Sequence, residues 1–450
     1  MTKRRYLVFL LMFLSIFVNY MDRVNFSVSI PAIRHDFGFS LEQIGAIAFA
    51  WGIVYAIFNF PGGWLVDRLG LRWALPIMLG WWSVFTALTP FARGLGGWYV
   101  IRGLMGAGEA PIWSINAKCA KTWTAPRERS TLYTWAGSGQ YLGPTIGTLI
   151  AGLILARFGW QWTFIVFGIA GVLILPFWFA VVSDRPGLDD RVSAQERAWI
   201  GNHADANERA DWHGIRNVLL SRTGLGMLLI YLTFGYILFT FLYWMPSYMY
   251  YTFHMTILKS AVWASLGGLL GFAGFIISGP FNDRLVARYD RLTARRIGTA
   301  APMCCAALCI VASLFSAKAE LAAATAILIG VAQLLMNMTV GAWAVNVVDI
   351  SPNQASTGLV YGFYNGSLNV MGAFNSLILT ALATRYGFPI AFGSAIVFML
   401  IFVASILFVV DRESYTRLLQ HAESTAGSPL IVVPNQGSDT PAVGGAHELQ

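Results

Sequence analysis

Long runs of hydrophobic residues, separated by shorter polar stretches, recur along most of this sequence. A helix that crosses a membrane needs about 20 mostly apolar residues, and twelve stretches meet that requirement. Their approximate bounds are 7–30, 44–66, 73–92, 96–120, 130–156, 162–182, 224–248, 258–281, 297–317, 320–347, 355–383 and 389–410. The pattern predicts an all-α integral membrane protein with twelve transmembrane helices in two six-helix halves.

The composition supports a membrane protein and excludes several other classes. Hydrophobic residues make up 56% of the chain and charged residues only 12%, whereas roughly a quarter of a soluble domain is charged. The net charge of +8 is no sign of nucleic-acid binding, because such a surface needs lysines and arginines clustered on a polar domain. We therefore expect the bilayer as a partner and no nucleic acid.

The distribution of basic residues predicts the orientation in the membrane. If the N-terminus is cytoplasmic, the outer loops contain 6 of the 30 lysines and arginines, and Arg23 and Arg102 lie within spans. The other 22 then fall on the inner side. Since cytoplasmic loops carry the basic excess, we expect a multi-pass protein of the inner membrane with both termini in the cytoplasm.

A polar segment divides the chain into two halves. Residues 1–182 form the predicted N-terminal six-helix bundle, 183–216 a cytoplasmic linker, and 217–410 the C-terminal bundle. Residues 411–450 have the polar, Gly-rich composition of a disordered cytoplasmic tail.

A short motif occurs at the same place in each half. The loop after the second span reads GWLVDRLGLR from Gly63, and the loop after the eighth reads GPFNDRLVAR from Gly279. The offset of 216 residues indicates an internal repeat, as many transporters have. The matched pairs are Gly63 with Gly279, Asp67 with Asp283, Arg68 with Arg284, Leu69 with Leu285, and Arg72 with Arg288.

The twelve-span plan, the central loop and the GWLVDRLGLR motif resemble the major facilitator superfamily over residues 5–410. The resemblance implies that fold, and it implies that the motif residues have gating or structural roles. These residues are Gly63, Asp67, Arg68, Arg72, Asp283 and Arg284.

Four ionisable residues lie at some depth within the predicted spans: Asp22 and Arg23 in the first, and Arg102 and Glu109 in the fourth. Each costs about 2.5–3.5 kcal/mol at a helix centre unless it faces water or a partner. At about 1.5 Å rise per residue, Asp22 and Arg102 lie at similar depths, which predicts an ion pair between them. Glu109, two turns deeper with no basic residue at its depth, is a candidate for proton coupling.

Polar residues near Arg23 predict an anion-binding site. Asn19 and Tyr20 lie one helical turn from Arg23, and an arginine guanidinium matches the geometry of a carboxylate. Tyr55, Gln140 and several asparagines of the eleventh span can supply further polar contacts, although amides within spans also serve as links between helices.

Two motifs carry a closer resemblance. NYMDR, ending at Arg23, and RGLMGAGEAP, from Arg102, resemble signatures of the anion:cation symporter family, with a character similar to bacterial galactonate- and glucarate-type permeases. The resemblance implies a proton-coupled symporter of a small organic anion. By the same resemblance Asp22, Glu109 and Arg102 would couple protons, and the substrate contacts would be Tyr20, Arg23, Tyr55, Gln140 and Asn365.

The sequence departs from that family in places that concern the substrate. The second span has Asn59-Phe60-Pro61 where sugar-acid members have Gln-Ile-Pro, and the seventh has Tyr243 where they have threonine. Our expectation is a hexonate or aldarate. A carrier for an aromatic or other non-sugar carboxylate and a transporter-like sensor remain the alternatives.

We expect neither an enzyme nor a cofactor, since the chain contains no Gly-rich phosphate loop or catalytic constellation. The four cysteines lie in apolar stretches without histidine or carboxylate nearby, so no metal site is expected. We expect the protein to act as a monomer.

Overall fold

The computed structural model of the protein describes residues 3–201 and 209–425, and most of that part is helical. Ten of its helical segments are long and apolar enough to cross a bilayer. The longest, Glu42–Phe91, contains the second and third predicted spans. The fourth predicted span is divided between two shorter helices, Gly94–Glu109 and Ile112–Trp123. The twelve predicted crossings are therefore accounted for, and the all-α fold is confirmed.

The N-terminal half contains eight helices because several spans are broken in the middle. They are α1 (Arg4–Phe37), α2 (Leu41–Leu88), α3 (Gly94–Glu109), α4 (Ile112–Trp123), α5 (Arg129–Gly137), α6 (Gly139–Phe158), α7 (Trp160–Val172) and α8 (Leu175–Val181). Within α2, Gly70 separates the second and third spans. Its φ of 72° suits glycine, and a Cβ there would lie 2.4 Å from Asp184.

The central segment and the C-terminal half contain the remaining helices. They are α9 (Ala194–Ile200), α10 (Trp212–Leu220), α11 (Arg222–Phe253), α12 (Ile257–Arg288), α13 (Arg291–Lys318), α14 (Ala322–Met338), α15 (Val340–Ile350), α16 (Thr357–Tyr386), α17 (Phe388–Gly393), α18 (Ala395–Ala404) and α19 (Arg412–Thr425).

Two sequence predictions about the polar segments need correction. Residues 412–425, expected to be disordered, form α19, whose Tyr415 is buried and whose Glu423 pairs with Arg291. The rest of the predicted disordered tail, 426–450, lies outside the described residues. Helix α10 also runs across the predicted end of the linker at residue 216 and continues to Leu220.

The repeated motif links the two halves reciprocally. Asp67, in the N-terminal half, accepts hydrogen bonds from the backbone N–H groups of Gly358 (2.9 Å) and Leu359 (2.7 Å) at the start of α16. Asp283, in the C-terminal half, accepts from Ser130 (3.1 Å) and Thr131 (2.7 Å) at the start of α5. A carboxylate at a helix N-terminus satisfies free donors and complements the helix dipole. Each half therefore caps a helix of the other at the same end of the molecule.

Glycines let these helices approach closely. A Cβ on Gly63 would lie 2.2 Å from the carbonyl oxygen of Gly358, and one on Gly362 would lie 2.3 Å from that of Asn59. A further ionic cluster joins the halves nearby, in which Asp349 binds both Arg129 and Arg295. Together these contacts hold the two halves together at this end of the molecule.

A separate cluster fixes the central segment to the start of the first helix. The buried Glu196, in α9, accepts hydrogen bonds from the backbone N–H groups of Arg4 and Arg5 at 3.2 Å each, and it pairs with the Arg5 guanidinium. Asp189 binds Arg4 and Arg191. Burial alone would raise the pKa of Asp189, but hydrogen bonds from Arg191 outweigh that effect and hold the pKa below its usual range.

Candidate functional site

Arg23 lies among three aromatic rings between the helices of the N-terminal half. Its guanidinium carbon is 4.2 Å from the ring centre of Tyr20, 4.7 Å from that of Tyr55 and 5.0 Å from that of Trp51. Such cation–π contacts stabilise a cation that has left water. The Arg23 side chain is still 21% exposed, so the guanidinium is both held in place and accessible to a ligand.

Glu109 forms an ion pair with this arginine. Arg23 Nε donates to Glu109 Oε2 at 3.2 Å, and Arg23 Nη2 donates to Asn19 Oδ1 at 3.3 Å. Glu109 is the last residue of α3, where the fourth span breaks before Pro111. The expectation that Glu109 has no basic residue at its depth is therefore wrong. Helix rise alone predicts different depths in the membrane for Arg23 and Glu109. The long Arg23 side chain spans this difference.

The other oxygen of Glu109 has no hydrogen-bond partner in the described part of the chain. Glu109 Oε1 is enclosed and makes no hydrogen bond with the described residues. The charge of its carboxylate is compensated mainly by Arg23, and Arg102 contributes at longer range. Removing one partner of such a buried pair leaves an uncompensated charge, which costs about 3–5 kcal/mol. Separating Arg23 from Glu109 therefore has a high free-energy cost unless Glu109 is protonated.

The predicted ion pair between Asp22 and Arg102 is not present in the described chain. The Arg102 guanidinium lies over the ring of Phe26 at 4.5 Å, and its Nη1 contacts the sulfur of Met105 at 3.2 Å. Both carboxyl oxygens of Asp22 are enclosed without a hydrogen-bond partner among the described residues. Arg102 and Glu109 still lie within range of electrostatic interaction with Asp22. The depth estimate placed Asp22 and Arg102 at one height but did not determine which way each side chain points.

A pair of asparagines joins the two halves one helical turn from Tyr55. Asn365, a predicted substrate contact on α16, donates through Nδ2 to Asn59 Oδ1 at 2.6 Å. Asn59 is fully buried on α2, one turn from Tyr55, and donates to the Tyr55 carbonyl oxygen at 2.7 Å. Asn369 donates to the carbonyl oxygen of Asn365 at 2.8 Å. The predicted contacts Tyr20, Arg23, Tyr55 and Asn365 thus lie on adjoining parts of α1, α2 and α16.

Gln140 lies at the first turn of α6, directly after the break in the fifth span, and is half-buried. Helix α6 packs closely on α1, since a Cβ on Gly143 would lie 3.0 Å from the Cβ of Tyr20. Gln140 is therefore on the helix that borders Tyr20. The neighbouring Tyr141 donates a hydrogen bond to Asn337 of the other half at 2.5 Å. The role of Gln140 in binding stays a prediction.

Two aromatic residues at the site were missed by the sequence reasoning. Trp51 lies four residues before Tyr55, so both rings share one helix face, and this spacing was the available signal. Trp113 donates from Nε1 to the Tyr20 hydroxyl at 3.3 Å. No pattern in the sequence links Trp113 to Tyr20.

The described residues contain no group of three histidine, cysteine or acidic side chains able to hold a metal ion. The four cysteines are free. The site therefore consists of the accessible Arg23 guanidinium, the Glu109 carboxylate paired with it, aromatic rings and amides. Such a site can bind an anion and exchange a proton.

Comparisons with known proteins give the family. A model of the Major Facilitator Superfamily matches residues 12–374. The probable galactarate/D-glucarate transporter of Bacillus subtilis is 28% identical over 415 residues, which cover 88% of this chain and 89% of that protein. The D-galactonate transporter of an Escherichia coli strain is 30% identical over 302 residues, covering 64% of this chain and 69% of that protein.

A solved structure has the same fold. The transporter FucP in its outward conformation superimposes with a TM-score of 0.71 at 13% identity, covering 91% of this chain and 100% of that one. The twelve crossings, the reciprocal links between the halves and the family match agree. This chain is an integral membrane protein that belongs to the major facilitator superfamily, and it is a secondary transporter rather than an enzyme.

Proposed function

We propose that this protein is a proton-coupled symporter of a small organic anion, most consistent with a sugar acid such as a hexonate or aldarate. The observation that carries the proposal is the pairing of the accessible Arg23 with the enclosed Glu109. Its relatives include transporters named for galactarate, D-glucarate and D-galactonate. It acts as a monomer in the inner membrane with both termini in the cytoplasm, its halves 1–182 and 217–410 joined by the linker 183–216.

The pair suggests how proton and substrate are coupled. When Glu109 takes a proton, it no longer compensates the charge of Arg23, and the carboxylate of the substrate replaces it on the guanidinium. The substrate and the proton therefore bind together. On the opposite side of the membrane the substrate leaves, Glu109 loses its proton, and the ion pair forms again. Asp22 and Arg102, within electrostatic range of each other, form a second proton-coupling group.

The closed cytoplasmic links suggest which state the structure represents. Asp67 and Asp283 hold the halves together on the cytoplasmic side, as expected for an outward-facing carrier. Alternating access requires these links to break while contacts form on the outer side. Bound substrate and proton shift this equilibrium only through their different affinities for the two states.

The alternative of an aromatic carboxylate has less support from the site. The rings of Tyr20, Trp51 and Tyr55 lie against the Arg23 guanidinium, so each has a face occupied by the cation. In the other half, Asn365 bonds to Asn59 one turn from Tyr55, and the hydroxyl-bearing Tyr243 and Tyr361 lie within electrostatic range of Tyr20. These amide and phenol groups are hydrogen-bond partners for the hydroxyl groups of a sugar acid, which an aromatic ring lacks.

The experiment is uptake into vesicles containing the purified protein. An inward proton gradient should drive accumulation of a labelled hexonate or aldarate, with acidification of the vesicle interior, and a protonophore should abolish the accumulation. Uptake that is the same with and without the proton gradient would contradict proton coupling. Uptake of aromatic acids with none of sugar acids would favour the alternative substrate, and binding without any uptake would favour a sensor.

A further inference from the structure

A chain of amide hydrogen bonds has a fixed direction where the two halves meet. Asn59 Nδ2 donates to the carbonyl oxygen of Tyr55 at 2.7 Å. A backbone carbonyl oxygen can only accept a hydrogen bond, so it determines which end of the Asn59 amide faces it. Asn59 Oδ1 must then point away from Tyr55, and it accepts from Asn365 Nδ2 at 2.6 Å.

The direction of this chain determines which amide atoms of α16 are available to a ligand. Asn59 engages one hydrogen of Asn365 Nδ2 and so holds this nitrogen toward α2, which turns Asn365 Oδ1 away from Asn59. This oxygen accepts no hydrogen bond from the described residues and is not among their enclosed unpartnered atoms. Asn369 likewise uses Nδ2 on the Asn365 carbonyl at 2.8 Å. Helix α16 therefore offers amide oxygens, which are hydrogen-bond acceptors.

The charge distribution of the C-terminal half agrees with this polarity. Its lysines and arginines lie at the ends of the spans, and none occurs within 223–258, 260–283, 297–317 or 319–384. Arg23, in the N-terminal half, can bind one carboxylate. A second carboxylate on the ligand would face amide oxygens without a cation, whereas a hydroxyl group would donate to them.

We propose that Asn59 is a positioning residue that fixes the Asn365 amide, and that this orientation selects polyhydroxy monocarboxylates (aldonates) over the corresponding dicarboxylates (aldarates). The inference rests on the proposed function and narrows its substrate class. Asn59 does not touch the ligand in this account. It acts by holding the Asn365 nitrogen toward α2, so that the carbonyl oxygen rather than the NH2 group is turned toward a second carboxylate.

The test is a pair of dissociation constants, for galactonate and galactarate, measured on the purified full-length protein. The two acids differ only in whether the terminal carbon is a hydroxymethyl or a carboxylate group. The wild-type protein should bind galactonate at least about tenfold more tightly. In Asn59→Leu the Asn365 amide is free to rotate and donate, so galactarate should gain affinity and the ratio should fall below about threefold.

Two variants serve as controls. Asn59→Asp, protonated in this enclosed position, can still donate to Tyr55 and accept from Asn365, so the wild-type ratio should return. Asn375→Leu removes another fully buried asparagine of α16, one bonded to Tyr236 and Thr240, and should leave the ratio unchanged. Thermal unfolding of each variant separates misfolding from loss of selectivity.

The outcomes distinguish this inference from the proposed function. Equal affinities in the wild type, or tighter binding of galactarate, would overturn the inference while leaving sugar-acid transport intact. An unchanged ratio in Asn59→Leu, or loss of both ligands in a folded Asn59→Leu protein, would reject the positioning role. Failure of the wild type to bind either acid would count against the proposed function itself.

Discussion

At the scale of single residues, Asp22 and Arg23 are adjacent in sequence but do different things. Successive residues of a helix point about 100° apart, so Arg23 is partly exposed and binds Glu109, while Asp22 is enclosed in its own half. A charged carboxylate without hydrogen bonds is costly in such a place. The accessible arginine is thus suited to the substrate, and the enclosed acids are suited to protons.

Arg23→Lys should weaken anion binding by at least about tenfold. Lysine keeps the charge but loses the planar fork that binds a carboxylate with two hydrogen bonds and stacks on aromatic rings. The measurement is the dissociation constant of the transported acid, with Arg34→Lys in the outer region as the control. Affinity within twofold of the wild type would show that bidentate binding is not used.

At the scale of helices, α2 and α16 form the closest contact between the halves. Gly63→Ala should lower stability by about 1–3 kcal/mol, because the new Cβ would lie 2.2 Å from the Gly358 oxygen. Gly45→Ala is the matched control within α2, with open space around its Cβ. Thermal unfolding of the two variants checks this contact, and equal melting temperatures would contradict it.

The reciprocal caps make a second prediction at this scale. Asp67→Asn and Asp283→Asn each remove a negative charge from the start of a helix in the other half, which weakens cytoplasmic closure. Both should shift the protein toward the inward-facing state, measured as faster labelling of a cysteine placed in the cytoplasmic cavity. The fully exposed Asp190 provides the control, Asp190→Asn. Faster labelling in neither motif variant would count against the caps.

The contact between the central segment and α1 should not depend on pH in the working range. Because the pKa of Asp189 is depressed in the folded protein, its contribution to stability is present above the unfolded pKa and is lost only as the pH falls through the folded one. Melting temperatures of the wild type and Asp189→Asn should therefore differ by the same amount at pH 7 and pH 5. A difference that vanishes at pH 5 would refute this.

At the scale of the whole molecule, counting apolar runs was sufficient to predict twelve crossings, since a bilayer fixes the length of each helix. The repeat around Asp67 and Asp283 indicated two equivalent halves. It did not reveal that each aspartate caps a helix of the other half, because that contact joins residues far apart in the sequence. The prediction of an ion pair between Asp22 and Arg102 was wrong for a related reason. Helix rise gives the depth of a residue in the membrane but not the direction in which its side chain points.

The amide chain of Asn59 and Asn365 illustrates the same limit. The sequence identified both residues as polar groups within spans. Only the packing of α2 against α16, made possible by Gly362 and Gly366, shows that they are bonded to each other.

The central claim is that Glu109 couples proton movement to substrate binding by releasing Arg23, and Glu109→Gln tests it most directly. Glutamine mimics the protonated acid but cannot lose a proton. Proton-driven uptake and counterflow exchange of the same labelled acid are measured side by side in vesicles. We predict that exchange persists while driven accumulation is lost. Driven accumulation at the wild-type level would contradict the account.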